Sequence, residues 1–266
     1  MELKGSTILI TGGTSGIGLE FIKQLTLQGS VIIVTGRNME ALKKTKKQFP
    51  NIHTFQSDVS KPHEVEQLYR DVTRQFPGLN IVINNAGIMR NLDLLDHNIG
   101  LEDLTSEIQT NLSGTIWMTH QFLPHLIKQK SSGIINISSG LAFLPFPLSP
   151  IYSAAKSGIH AYTQVLRLQL KNTNVKVFEL APPATDTPLM DNDSFSKVLD
   201  KDSVGPVMKV EKMVQVAIKG ILHDKFVIKP GMSKALSVMG RTAPNIFLNY
   251  IDKTLGEAIT KKKAKL

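Results

Sequence analysis

The stretch Ser6–Gly18, STILITGGTSGIG, constrains the chain most. A short apolar run, Ser6–Thr11, passes without a spacer into a glycine-rich turn. The residues beyond it, from Gly16 to Gln28, read as a helix, with Ile17, Phe21 and Leu25 at i, i+4 and i+8 giving one apolar face. A strand that is apolar along its whole length is buried on both sides, which is the habit of parallel sheets. Glycines at the hand-over from strand to helix allow positive φ and the close approach of another group to the backbone. The first amides of the helix point towards that same place.

The pattern then repeats. Ser30–Thr35, Asn51–Gln56, Asn80–Gly87, Gly133–Ser139, Asn174–Leu180 and Lys225–Pro230 read as further strands. Helices are expected at Met39–Gln48, Pro62–Phe76, Leu101–Gln129 (with a bend at Pro124) and Ile151–Lys171. Apolar strands alternating with helices predict an α/β fold, a doubly wound parallel sheet of about seven strands with helices on both faces. The 266 residues, 41% of them hydrophobic, suffice for one large domain over 1–266. Within it, residues 189–222 read as a polar substrate lid and 231–266 as a helical extension with a basic tail.

A glycine turn after the first strand of such a sheet suits a dinucleotide, whose pyrophosphate rests on the helix N-terminus. Gly12, Thr14, Ser15, Gly16, Ile17 and Gly18 are the residues of that turn. At the end of the second strand, where an acid would bind a ribose 2′-hydroxyl, the chain has Thr35-Gly36-Arg37-Asn38. Arg37 suits a 2′-phosphate, which an acid would repel, so NADP(H) is expected over NAD(H). The alternative for Arg37 is a surface salt bridge.

Tyr152 and Lys156 stand four residues apart and share one face of their helix. A tyrosine ordinarily loses its proton near pH 10, and a cation within about 4–6 Å lowers that value. The pair therefore reads as a proton-exchange device, with Ser139, at the end of the fifth strand, holding the substrate oxygen. Chance YxxxK pairs are common in helices, so the reading rests on its context.

TGxxxGxG, NNAG, the strand-borne serine and YxxxK, in this order, resemble the short-chain dehydrogenase/reductase family over about residues 3–230. The resemblance implies a catalytic tetrad of Asn111, Ser139, Tyr152 and Lys156, with Asn111 fixing a water that relays protons to Lys156. It also implies cofactor contacts from Asp58 and Val59 at the adenine edge, from Asn85, Ala86 and Gly87 beside Asn84, and from Tyr152 and Lys156. One departure is the pair Pro182-Pro183, where the family has Pro-Gly. Pro183 has no N–H and cannot take positive φ, which puts the local path in question. Pro182, Thr185 and Thr187 are the contacts expected there. The Pro-Pro form is similar to a bacterial DltE-type subgroup, linked by name to D-alanylation of teichoic acid. The activity implied is the interconversion of a carbonyl and an alcohol on a small substrate. The alternative is an NADP(H)-sensing regulatory or scaffold protein of a cell-envelope pathway, which would have less need of a whole tetrad.

Leu141, Phe143, Leu144, Phe146 and Leu148 either rim the substrate or pack their own loop. Arg90 reads as surface, with an anionic substrate contact as the alternative. The net charge of +9 owes much to Lys261, Lys262, Lys263 and Lys265. That is a solvated tail, with weak peripheral membrane contact second; no basic run is interleaved with aromatics, so no nucleic-acid partner is expected. The extension beyond residue 230 is expected to cover the core, to meet another subunit, or to lie on a membrane. No metal site is expected: there is no cysteine, no HExxH and no carboxylate cluster. The chain has no run of about 18 apolar residues and no secretory layout at its start, so the expectation is a cytoplasmic protein without a transmembrane segment; the family resemblance implies a homodimer or homotetramer.

Overall fold

The computed structural model describes residues 1–189 and 206–263. Seven strands form one parallel sheet in the order β3-β2-β1-β4-β5-β6-β7. They are β1 (Thr7–Thr11), β2 (Val31–Gly36), β3 (His53–Gln56), β4 (Leu79–Asn84), β5 (Ser132–Ile137), β6 (Val175–Leu180) and β7 (Val227–Ile228). The strands lack the in/out alternation of a half-exposed sheet because both faces are covered; every residue of β5 is buried.

One face carries α1 (Gly16–Thr26), α2 (Met39–Gln48) and α7 (Val210–Leu222), which close over Phe21, Leu25, Leu42, Met213 and Ile218. The other carries α3 (Pro62–Gln75), α5 (Gly114–Ile127) and α6 (Pro150–Gln169), closing over Val65, Leu68, Phe122 and Leu166. Strand order reverses between β1 and β4, and the crevice outside the carboxyl ends of these strands is where such sheets take their ligands.

The helix expected over Leu101–Gln129 is three pieces. A short α4 (Leu101–Leu104) leads to a wide π-turn at Ile108–Ser113, and α5 then continues past Pro124 to Ile127. Packing explains the break. A Cβ on Gly114 would stand 2.8 Å from the Val59 carbonyl, so α5 rests directly on the loop after β3. The preceding turn is then wide enough to deliver Asn111, wholly buried, against the Ile88 backbone.

Residues 190–205 of the expected lid lie outside the described residues. Its later part is α7, whose Met213, Val214, Ala217 and Ile221 are buried against the sheet, so that part belongs to the core. The extension forms α8 (Met232–Thr242) and α9 (Pro244–Lys263). α8 lies on the turn that follows β5. A Cβ on Gly140 would stand 2.9 Å from Leu236, and one on Gly240 would stand 2.0 Å from the Phe143 carbonyl oxygen. Among the described residues no helix is long and apolar enough to cross a membrane.

Candidate active site

A cleft of about 1320 Å³ opens at the carboxyl ends of β1, β4 and β5. Its floor is the turn after β1. Gly12 and Gly16 adopt φ of 63° and 51°, the left-handed region that glycine enters without strain. The turn is pinned from below: the Thr11 hydroxyl accepts from the Asn85 and Ala86 amides at 3.0 and 2.9 Å. The Asn85 amide donates to the Thr11 and Gly12 carbonyls at 2.9 and 3.0 Å. A Cβ on Gly12 would stand 2.8 Å from Ala86, and one on Gly18 would stand 2.5 Å from the Gly12 carbonyl oxygen. Ser15, at the N-cap of α1, makes no side-chain cap. The first amides of that helix are thus left facing the cleft, which suits a pyrophosphate.

Thr14, Ser15, Gly16, Ile17 and Arg37 line this end of the cleft, with Asp58 and Val59 across from them. Arg37 is exposed and makes no ion pair among the described residues. Its own carbonyl is held by the Gln56 amide at 3.0 Å, and Asn38 caps α2 through the Ala41 amide at 3.0 Å. The Asp58 carboxylate is taken up locally by the amide and hydroxyl of Ser60. Gly18 does not reach the cleft: it is buried under Gly12, and its role is to let helix and turn touch.

Ser139, Tyr152 and Lys156 meet in the same cleft. Ser139 follows β5, and its hydroxyl accepts from the Leu141 amide at 3.1 Å and shares a hydrogen bond with Tyr152. The Lys156 ammonium lies 5.5 Å from the centre of the Tyr152 ring and donates to the Ile137 carbonyl at 2.8 Å. Asn111 stands behind Gly87, outside the lining. Its amide accepts from the Ile88 amide and donates to the Ile88 carbonyl, both at 2.9 Å, and so fixes the loop after β4. A Cβ on Gly87 would stand 3.2 Å from Asn111 and 3.6 Å from the Lys156 ammonium.

The expected acidification of Tyr152 by Lys156 does not prevail. Burial pushes the phenol up to about 12, against the opposing Ser139 hydrogen bond and with a push from the Glu107 carboxylate. Burial likewise draws the Lys156 ammonium down to about 8. Desolvation sets both values because both groups lie in the interior.

Pro182, Pro183, Thr185 and Thr187 line the far wall. The Pro182 carbonyl accepts from the Gly140 amide at 2.8 Å, and the Pro183 carbonyl accepts from the Thr185 hydroxyl at 2.8 Å. Pro183 is thus accommodated in a tight turn that needs neither its N–H nor positive φ. Thr187 reaches across to the helix, 3.2 Å from where a Cβ on Gly16 would stand.

Two buried carboxyl groups went unsuspected in the sequence. Glu179 on β6, wholly buried, accepts from the Ser138 hydroxyl at 2.6 Å and meets His160 Nδ1 at 2.8 Å. It ties the residue before Ser139 to the helix of Tyr152 and Lys156. Glu107, also wholly buried, accepts from the Arg90 amide at 3.0 Å and lies 3.6 Å from its guanidinium. Burial holds the Glu107 carboxyl above the usual carboxylate range, although Arg90 pulls the other way. Arg90 therefore lines the cleft rather than the outer surface.

The motifs and the fold now meet in one place, and sequence comparison agrees. A family model described as short chain dehydrogenase matches residues 6–197. The chain belongs to that family. It is 41% identical over 228 residues to an uncharacterised oxidoreductase DltE of Bacillus subtilis (strain 168), a match that covers 85% of this chain and 88% of the relative. Among solved structures, a short chain dehydrogenase/reductase from Burkholderia phymatum in complex with NAD superposes with a TM-score of 0.78 at 19% identity, covering 89% and 93% of the two chains. One from Burkholderia cenocepacia J2315 in complex with NADP also gives 0.78, at 22% identity, covering 94% and 99%. These two show the fold. Short-chain dehydrogenases use a nicotinamide cofactor, and the glycine turn described above has the room and the free amides for one. The segment matched by the family model ends at residue 197, before α7, β7, α8 and α9.

Proposed function

We propose that the protein is an NADP(H)-dependent oxidoreductase that interconverts a carbonyl and an alcohol. The observation that carries this is the meeting of Ser139, Tyr152 and Lys156 in the cleft whose floor is the glycine turn. Gly12 and Thr14–Ile17 would hold the dinucleotide phosphates, Arg37 its 2′-phosphate, and Thr185 and Thr187 its nicotinamide end. Bound there, the cofactor supplies hydride chemistry at the nicotinamide. Arg37 favours NADP(H) because the Asp58 carboxylate, which also lines the cleft, is committed to Ser60 and no acid ends β2.

The Ser139 hydroxyl holds the substrate oxygen and Tyr152 exchanges a proton with it. A phenol held up at about 12 by burial enters the reaction protonated, which is the form a carbonyl reduction consumes. Lys156 stabilises the tyrosinate left behind, and Asn111 braces Gly87 and Ile88 beneath it. An intact tetrad favours an enzyme over a nucleotide sensor.

The test is NADPH oxidation against a panel of aldehydes and ketones, with NADH alongside and Tyr152→Phe as control. The expected loss in kcat for the variant is about 10²–10⁴-fold, with NADPH binding unchanged. A fully active Tyr152→Phe enzyme refutes the assignment.

A further inference from the structure

Beyond the proton-exchange groups, the cleft continues between the turn after β5 and the extension. Leu141, Leu144 and Phe146 line it from the turn, Met232 and Leu236 from α8, and Ile251 from α9. Leu141, Phe146 and Ile251 belong to one apolar cluster with Met89 and Tyr152 itself, so apolar surface begins at the reacting phenol. Phe143 does not line the cleft: it packs edge-on against His160 with ring centres 4.9 Å apart. α8 is fixed in place by the close approaches at Gly140 and Gly240, which makes this wall part of the fold rather than a loose flap.

Charge at this end points the same way. Apart from Lys156, the cation lining the substrate side among the described residues is Arg90. Its Nη1 donates to the Asp103 carboxylate at 2.8 Å, its Nη2 donates to the Asp103 carbonyl, and its Nε lies 3.6 Å from Glu107. Two carboxyl groups already engage that guanidinium, so its charge is not left over for a substrate anion.

We propose that the substrate is an uncharged aldehyde or ketone carrying an extended apolar chain, with the carbonyl at Ser139 and Tyr152 and the chain lying between the β5 turn and the α8–α9 extension. This rests on the oxidoreductase reading above and names the substrate class for it. Small polar carbonyls, keto acids and sugar phosphates are disfavoured: they offer nothing to the apolar wall, and the anionic ones find Arg90 already engaged by Asp103 and Glu107. Leu236 is then a specificity-determining residue, because it lines the wall and is held against Gly140.

The experiment is a homologous series of straight-chain aldehydes from four to ten carbons, assayed with NADPH, beside the same chains ending in a carboxylate. Each added methylene is expected to raise kcat/KM by about 2–4-fold until the wall is filled. A terminal carboxylate is expected to remove roughly tenfold or more. Leu236→Ser flattens the chain-length slope, and Met232→Ser tests the same wall if that variant does not fold. In parallel, calorimetric titration of the NADP-loaded protein compares octanamide with acetamide, neither of which the enzyme can turn over by this chemistry. Turnover with a flat series, or a preference for carboxylated or hydroxylated carbonyls, overturns the inference and leaves the oxidoreductase reading standing. Tighter binding of octanamide with no carbonyl reduced supports the apolar chain site and removes the oxidoreductase reading instead. Equal binding of the two amides overturns the inference whatever the kinetics show.

Discussion

Replacing Lys156 by Met is expected to stabilise the protein while abolishing its activity. Lys156 is 4% exposed, and burial draws its pKa from 10.5 to about 8. That difference corresponds to roughly 3 kcal/mol of unfavourable free energy for holding the ammonium in the folded interior. The pH dependence has a definite sign. Below pH 8 the lysine is charged in both folded and unfolded chains, and the folded state bears the whole cost. Between pH 8 and 10.5 the folded protein sheds the proton while the unfolded chain keeps it, so native stability rises with pH through this window. Methionine has similar length and no charge, and it removes the cost at every pH. It also leaves the Ile137 carbonyl, now 2.8 Å from the ammonium, without its donor, at about 1–3 kcal/mol. The net gain at pH 7 is then about 0–2 kcal/mol, or up to roughly 4 °C in Tm. Thermal denaturation of both proteins without nucleotide, at pH 7 and pH 9.5, measures it. The gap should narrow by about 2 kcal/mol at the higher pH, because the native lysine is by then largely neutral. Other titrating groups are common to both proteins and cancel in the difference. A variant less stable at pH 7, or a gap that does not move with pH, refutes the claim that Lys156 is held at a desolvation cost.

Arg37→Gln is expected to weaken NADPH binding by about 10–100-fold and to leave NADH binding nearly unchanged, because only the 2′-phosphate loses its charge-assisted bonds. Equilibrium titration with both nucleotides decides it, and an equal loss for both would assign Arg37 a general role in the fold. Glu179→Gln keeps the shape of the Ser138 and His160 contacts but weakens them. A fall in kcat of about tenfold with unchanged KM and NADPH affinity marks it as a positioning residue for Ser139 and α6. A fall in Tm alone, with normal kcat, makes it structural.

Most of the sheet was legible because each strand is a continuous apolar run closed by a turn, and burial on both faces is what the parallel arrangement imposes. The same logic failed between Leu101 and Gln129. Helical periodicity is continuous there, and the interruption at Ile108–Ser113 comes from two distant contacts, Gly114 on Val59 and Asn111 on Ile88. The motifs placed Ser139, Tyr152 and Lys156 correctly beside the glycine turn, since helix geometry alone fixes Tyr152 relative to Lys156. They misjudged the proton affinity of the phenol. Spacing along a helix reports that a cation is near, but the desolvation that wins here depends on everything packed around the pair.

Glu179 shows where local reading stops. Within VKVFEL it is a lone acid in an apolar strand, and nothing nearby in sequence explains it. Its partners lie 41 and 19 residues away, just past the end of β5 and on α6, and they become neighbours only because β6 is laid beside β5 in a fixed register, Asn136 opposite Glu179. A buried carboxylate is tolerable only where its hydrogen bonds are met. Its survival in this strand therefore requires that register and the position of α6 to be right together. A one-residue slip of β6 would turn Glu179 to the other face of the sheet and strand its charge. The charge is thus a check on the alignment of the elements that carry Ser139, Tyr152 and Lys156, a constraint that the apolar pattern of β6 could not impose alone.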